Sequence, residues 1–289
     1  MTLDELRKLL EPHGIRPVKD RGQNFLLDDR VVGKMAEAAG VKAGSRVVEI
    51  GPGPGILTSA LLERGAEVVA IELDSKLRSL LRGRFGMNVG FRMLEGDALS
   101  FPNADIISRF SEPPTLHSPL PAPYQVVANL PYAITSETLR KFLLEPPLPS
   151  AITVMVQREV ADRVLAAPGK MSALAVLVQT YGRVKRVTNV PAGSFYPPPK
   201  VDSTVIHIAR KSEAELAAFF GSVRPERYFT VVRTAFAGKR KQLKNTLKAL
   251  GLPENGLNKA FHATGIAPEQ RPEELSVNDW RKLIAALTP

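Results

Sequence analysis

The sequence predicts an α/β protein: a mostly parallel, doubly wound sheet with an antiparallel hairpin at one edge, followed by a small domain built only of helices. Three observations predict it. Short apolar, β-branched runs alternate with helical patterns over the first two thirds of the chain, and such alternation implies a parallel sheet covered on both faces. Two late strand-like runs, 184–190 and 203–209, have no long helix between them, which suits antiparallel strands at an edge. Beyond Arg210 the β-branched runs stop and helical periodicity takes over.

Taken in order, a helix is expected over 30–39, capped by Asp28 or Asp29 and stopped at Gly40. Strands are expected at 46–50, 67–71, 89–94, 125–128 and 151–156, with helices at 56–64, 75–84, 135–144 and 159–166. A helix over 172–181 leads into the two late strands. The remainder reads as helices at 213–220 behind Ser212, 226–236, 239–250, and 277–287 behind Ser276. A domain boundary is therefore expected at Arg210, giving domains 1–210 and 211–289. Pro-rich stretches at 112–123 and 197–199 read as surface loops, and there is no internal repeat.

Composition narrows the function classes. The 289 residues are 44% hydrophobic, enough for a real core, and carry a net charge of +10, which favours a polyanionic partner. The absence of Cys excludes disulfides and thiolate metal sites, and the four His (His13, His117, His207, His262) lack ligand spacing, so no metal is expected. The N-terminus mixes acidic, basic and apolar residues at helical spacing, unlike a signal peptide, and no apolar run is long enough to span a membrane. A cytoplasmic protein with no membrane partner is expected.

Four motifs carry chemistry. Glycines at 51, 53 and 55 follow the apolar run 46–50, so Gly51 and Gly53 let the backbone approach a ligand where a strand turns into a helix. The G-x-G-x-G spacing differs from the G-x-G-x-x-G of dinucleotide folds. Glu72 closes the next strand, where a carboxylate can accept both hydroxyls of a ribose, and the pair implies an adenosine cofactor. Asp97, just past the strand at 89–94, can accept a hydrogen bond from the exocyclic amine of an adenine, although acidic turns after strands are common.

The strongest local signal is Asn129-Leu130-Pro131-Tyr132, directly after the run 125–128. An exocyclic adenine amine is a poor nucleophile because its lone pair is delocalised into the ring. A site that accepts its hydrogens pulls the nitrogen toward tetrahedral geometry and aligns it with an electrophile, with no strong base required. The Asn129 side-chain oxygen and the Leu130 carbonyl can accept those bonds, Pro131 stiffens the turn, and Tyr132 offers a ring for stacking an extruded base. Phe195 and Tyr196, beside a polyproline stretch and Lys200, are suited to flanking a nucleotide. Between Arg224 and Lys248 lie eight cations (Arg224, Arg227, Arg233, Lys239, Arg240, Lys241, Lys244, Lys248) with only Glu226 opposing them, a bias that favours phosphate binding over a merely solvated helix face.

These residues resemble a known family. Gln23-Asn24-Phe25-Leu26, Glu49-Ile50-Gly51-Pro52-Gly53-x-Gly55, Ala70-Ile71-Glu72-x-Asp74, Gly96-Asp97-Ala98-Leu99, Asn129-Leu130-Pro131-Tyr132, Met155 to Ala161, Phe195-x-Pro197-x-Pro199-Lys200-Val201 and Phe236-x-x-Lys239-Arg240-Lys241 stand in the order seen in the bacterial small-subunit rRNA adenine dimethyltransferases. The resemblance implies a Rossmann-like, S-adenosylmethionine-dependent methyltransferase domain and a basic helical RNA-binding domain. It implies as product two adjacent N6,N6-dimethyladenosines near the 3′ end of 16S rRNA, made on the small ribosomal subunit or its late assembly precursor by an enzyme expected to be monomeric. By motif match, Asn24 and Leu26 close over the cofactor and Gly51 and Gly53 line its loop. Glu72 holds the ribose, Asp97 the adenine, and Asn129 sits between cofactor and target. Phe195 joins Tyr132 at the base, while Lys200, Arg233, Lys239, Arg240 and Lys241 face RNA. The spacer 100–124 is longer than in the family, and Ala133 replaces a residue that is often polar there.

Two alternatives stay open at this level. The macrolide-resistance methyltransferases of large-subunit rRNA share the cofactor motifs and Asn-x-Pro-Tyr, but match the 195–201 and 236–241 segments less well. A non-catalytic RNA-binding or transcription factor on the same scaffold would have no need of an intact Asn129 to Tyr132 motif.

Overall fold

The computed structural model describes residues 1–17, 23–110, 123–238 and 241–287. By contacts the chain divides into two compact units, one formed by Met1–Ala161 with Lys185–Arg210, the other by Asp162–Val184 with the chain from Lys211 onward. The second unit thus takes in 162–184, which a division at Arg210 assigns to the first.

The first unit is built on a sheet of β2 (Arg46–Ile50), β3 (Glu67–Glu72), β4 (Phe91–Glu95), β5 (Tyr124–Asn129), β6 (Ala151–Gln157), β7 (Gly182–Val190, which enters this unit at Lys185) and β9 (Ser203–Arg210), in the order β4-β3-β2-β5-β6-β9-β7. From β4 to β6 all neighbours are parallel, β9 runs antiparallel to β6, and β7 borders β9 at the edge. The runs of Val and Ile are continuous because both faces of a central parallel strand are covered, and Val47, Val48, Val68, Val69, Val126 and Val127 are fully buried. The expected strands are present with ends shifted by one or two residues. A two-stranded ribbon was not expected: β1 (Phe25–Leu26) pairs antiparallel with β8 (Phe195–Tyr196), Leu26 opposite Phe195, where the pattern of single residues reads only as loop.

Helices α1 (Leu3–Leu10), α2 (Asp29–Ala38), α3 (Ile56–Glu63), α4 (Ser75–Phe85), α5 (Asn103–Ile107) and α6 (Thr135–Leu144) also belong to this unit, and α7 (Arg158–Val164) straddles its end. Of the two candidate caps for α2, Asp28 is the one used, accepting the Arg30 N–H at 3.0 Å; Asp74 caps α4 in the same way. Each such cap satisfies an orphan helix donor and is worth about 1 kcal/mol. α1 lays Leu6 and Leu10 against Leu77 and Leu80 of α4, with Ile15 and Phe25 in the same cluster.

The second unit holds α8 (Ala173–Tyr181), α9 (Glu213–Phe220), α10 (Pro225–Ala237), α11 (Leu243–Thr246), α12 (Glu254–Thr264) and α13 (Val277–Ala286). Ser212 and Ser276 close capping boxes with Glu215 and Asp279. The largely apolar α8 needs cover on several sides and finds it here: Tyr181 stacks on Phe229 at 5.5 Å and Thr180 meets the Tyr228 hydroxyl. The long helix expected over 239–250 is instead the single turn of α11 continued as a 3-10 segment, Leu247–Leu250; Lys239 and Arg240 lie outside the described residues. Glu254–Thr264, a helix not anticipated, follows. Among the described residues no helix is long and apolar enough to cross a membrane.

Candidate active site

The order of the strands reverses between β2 and β5, and ligands in open α/β sheets bind at that switch point, beyond the carboxyl ends of the strands. A cleft of about 830 Å³ opens there, within the range of small-molecule sites. Its lining includes Asn24, Leu26, Gly51, Gly53, Glu72, Asp97, Asn129, Leu130, Tyr132 and Phe195, so residues spread over 170 positions of sequence converge on one place.

One wall is the turn from β2 into α3. Gly53 has φ +57, and a Cβ there would lie 3.3 Å from the Phe25 ring, so a side chain would meet both backbone strain and a neighbour that covers the loop. Gly55 serves packing instead: its φ is +84 and a Cβ would sit 2.5 Å from the Phe85 ring of α4. The same helix sends the half-buried Arg84 to the Pro54 carbonyl, pinning the loop from behind.

Glu72, 6% exposed, ends β3 with its carboxylate tied to that loop. Its Oε2 accepts the Gly53 N–H at 3.3 Å and its Oε1 the Asp74 N–H at 2.9 Å. Burial raises its carboxyl above the ordinary range, against the opposing pull of these two bonds. Leu73, beside it, is an exposed apolar side chain in the cleft. A buried acid, a backbone free to approach and an adjacent apolar face fit an adenosine. Asp97 lies past β4, exposed to the cleft, with its Oδ1 accepting the Leu99 N–H at 2.9 Å.

The opposite wall begins where β5 ends. Asn129 is half-buried, in register with Met155 of β6, and among the described residues its side-chain amide has no hydrogen-bond partner. The Leu130 N–H is fixed to the Met155 carbonyl at 3.2 Å, while no backbone N–H reaches the Leu130 carbonyl among the described residues. Tyr132 opens a 3-10 turn after Pro131, half-buried, its hydroxyl 2.9 Å from that of Ser203. Phe195 is 4% exposed, held in the ribbon against Leu26.

Glu49 escaped the sequence reading as a functional group, although a lone carboxylate inside Val47-Val48-Glu49-Ile50 is itself a signal, since a buried acid is expensive without a purpose. It lines the cleft at 1% exposure and accepts the Thr58 hydroxyl at 2.7 Å. Burial, opposed by the Thr58 bonds and reinforced by the charge of Glu72, pushes its carboxyl up from 4.5 to about 8. As pH rises from 4.5 to about 8 the unfolded chain gives up this proton and the folded chain keeps it. Its stabilising contribution is therefore full below that window, falls across it and is flat above. Glu49→Gln, which still accepts from Thr58, is expected to lose most of this slope in denaturant melts taken across the window; a parental slope would place the pH dependence in another group.

Of the expected cations, the described ones, Lys200, Arg233 and Lys241, do not line this cleft. Lys200 is exposed in the first unit after β8; Arg233 on α10 and Lys241 before α11 are exposed in the second. The run from Arg224 to Lys248 is also less one-sided in space than along the chain, because Lys244 pairs with Glu269 at 3.0 Å and Lys248 with Glu254 at 3.7 Å.

Known proteins match this arrangement along nearly its full length. The chain is 36% identical over 285 residues to ribosomal RNA small subunit methyltransferase A of Dehalococcoides mccartyi, covering 98% of this chain and 93% of that one. It is 39% identical over 279 residues to the protein of that name from Geobacter sulfurreducens, covering 95% and 96%. Among solved structures, a dimethyladenosine transferase from Plasmodium falciparum superposes with a TM-score of 0.71 at 26% identity, covering 90% of this chain and 95% of that one. The 23S rRNA methyltransferase ErmE gives 0.68 at 25%, covering 92% and 100%. Residues 17–288 match the family described as ribosomal RNA adenine dimethylase, and with relatives of this identity and coverage the chain belongs to that family.

Proposed function

We propose that this chain dimethylates N6 of two adjacent adenosines near the 3′ end of 16S rRNA, drawing the methyl groups from S-adenosylmethionine. The observation that carries the reading is the Asn129 amide beside the Leu130 carbonyl, neither with a hydrogen-bond partner among the described residues, opening on the same cleft as the Glu72 carboxylate. When bound, S-adenosylmethionine supplies a methyl already activated on sulfur, which passes to the N6 lone pair as the carbon–sulfur electron pair returns to sulfur and the N6 proton leaves to water. Glu72 accepts the ribose hydroxyls, Gly51 and Gly53 give their backbone to the cofactor, Asp97 takes the adenine amine, and Asn24 and Leu26 cover it. Asn129 and Leu130 accept the two N6–H groups of the target base and so draw its lone pair out of conjugation. Tyr132 and Phe195 hold the extruded base by their faces.

Lys200, Arg233, Lys239, Arg240 and Lys241 contact phosphates in this reading, on a late precursor of the small subunit. The chain acts as a cytoplasmic monomer. A second reading, methylation of an adenine in large-subunit RNA, draws on the likeness to the 23S enzyme. Labelled S-adenosylmethionine offered with separate small and large subunits that lack these methyls distinguishes the two. Label is expected on two adjacent adenosines of the small-subunit RNA; label confined to the large subunit would overturn the proposal.

A further inference from the structure

The start of β9 is tied to both aromatic rings of the cleft. The hydroxyls of Tyr132 and Ser203 lie 2.9 Å apart across 71 residues of sequence. Ser203 is fully buried and stands opposite Gln157 of β6, so the sheet fixes its place. Its neighbour Asp202 accepts the Ala192 N–H at 3.0 Å on Oδ1 and the Arg158 N–H at 2.9 Å on its carbonyl. Ala192–Ser194 is the turn that delivers Phe195 into β8. Two consecutive residues thus hold the phenol of one ring and the turn that presents the other. The Tyr132 side chain, part of the cleft lining, is thus held at its hydroxyl end by Ser203. Burial raises the phenol further, so it stays protonated and able to keep this bond through the neutral range.

We propose that Ser203 is a positioning residue that fixes the Tyr132 ring for the target base, and that this hold matters most for the second methyl transfer to each adenine. The inference rests on the roles given above to Asn129, Leu130 and Tyr132. An unmodified adenine offers two N6–H groups, one for each acceptor. The first transfer removes one of them, its proton going to water, and one acceptor is left without a donor. Orientation of the monomethylated base then falls more heavily on stacking, which tolerates sliding and rotation in the plane unless the ring itself is held. A loosened Tyr132 therefore harms the second step more than the first.

The test is the product ratio on small subunits lacking these methyls, with enzyme and cofactor in excess, read by mass spectrometry at fixed times. Ser203→Ala is expected to raise the ratio of mono- to dimethyladenosine by about fivefold, the loss corresponding to one neutral hydrogen bond, with the first-methyl rate changed by less than about twofold. Tyr132→Phe keeps the ring, removes the hydroxyl and should give the same ratio, and the double variant should go no further than either single one. Cofactor affinity by calorimetry should stay at the parental value in Ser203→Ala. A parental ratio in either single variant, additive effects in the double variant, or a loss of cofactor affinity that accounts for the slower step overturns the proposal. If Ser203→Ala fails to fold, Tyr132→Phe decides the question alone. If the parent itself puts no methyl on small-subunit adenines, it is the function above that fails.

Discussion

Asn129→Ala is expected to slow single-turnover methylation of undermethylated small subunits by about a hundred- to a thousandfold, the range for removing one preorganised hydrogen-bonding group that acts in the transition state. Cofactor affinity should fall less than about tenfold, because a peripheral contact to a ligand is worth about 1 kcal/mol. The split follows from the geometry. Asn129 ends β5 with its amide unengaged among the described residues, while the groups suited to the cofactor stand at the ends of β2, β3 and β4. Asn129→Asp is the sharper probe. Its carboxylate also accepts from N6–H and should keep part of the activity, yet it attracts a sulfonium in the ground state, so tighter cofactor binding with a slower chemical step is expected. A near-parental single-turnover rate for Asn129→Ala would remove Asn129 from the role of orienting the nucleophile.

The second large effect is expected at Glu72. Removing a charged acceptor from a bound ribose costs about 1.5–3 kcal/mol, so Glu72→Ala should weaken S-adenosylmethionine binding by about ten- to a hundredfold in calorimetry. The ionised carboxylate is the form that accepts both hydroxyls, and its pKa is raised by burial. Parental affinity should therefore decline as pH falls through that raised pKa, and Glu72→Gln should lack the decline. Binding of the Ala variant as tight as the parent's would move the ribose to another group.

Much of this was legible in the sequence because it is written in local periodicity. Runs such as Val47-Val48 and Val68-Val69 are dictated by a strand covered on both faces, and the glycines, Glu72 and Asn129 follow such runs immediately, at the strand ends where an open α/β sheet binds ligands. What was not legible depends on partners far along the chain. Nothing near Phe25 or Phe195 announces that two dipeptides pair across the cleft. Nothing near Lys244 or Lys248 announces Glu269 and Glu254. The helical pattern over 239–250 is locally sound, yet α11 starts only at Leu243, where the Leu243 and Lys244 N–H groups are drawn instead to the Gln270 and Pro268 carbonyls. Glu49 was visible as a residue but not as a group, since its protonation is set by burial and by Glu72 rather than by its neighbours in sequence.

The way the chain is shared between the two units bears on how such a protein can be divided or recombined. It passes from one unit to the other three times, after Ala161, Val184 and Arg210. The helical unit is therefore no appendage that a single cut could detach. A chain ending at Arg210 would keep α8 but lose the rings of Phe229 and Tyr228 that cover Tyr181 and Thr180, and the Lys211 ammonium that bonds the Gln179 and Thr180 carbonyls at 2.8 and 3.0 Å. A largely apolar helix would then lose the partners that cover it. Exchange of the helical unit between relatives needs two matched segments, 162–184 and the part after Arg210, which ties the inheritance of the helices to that of the sheet.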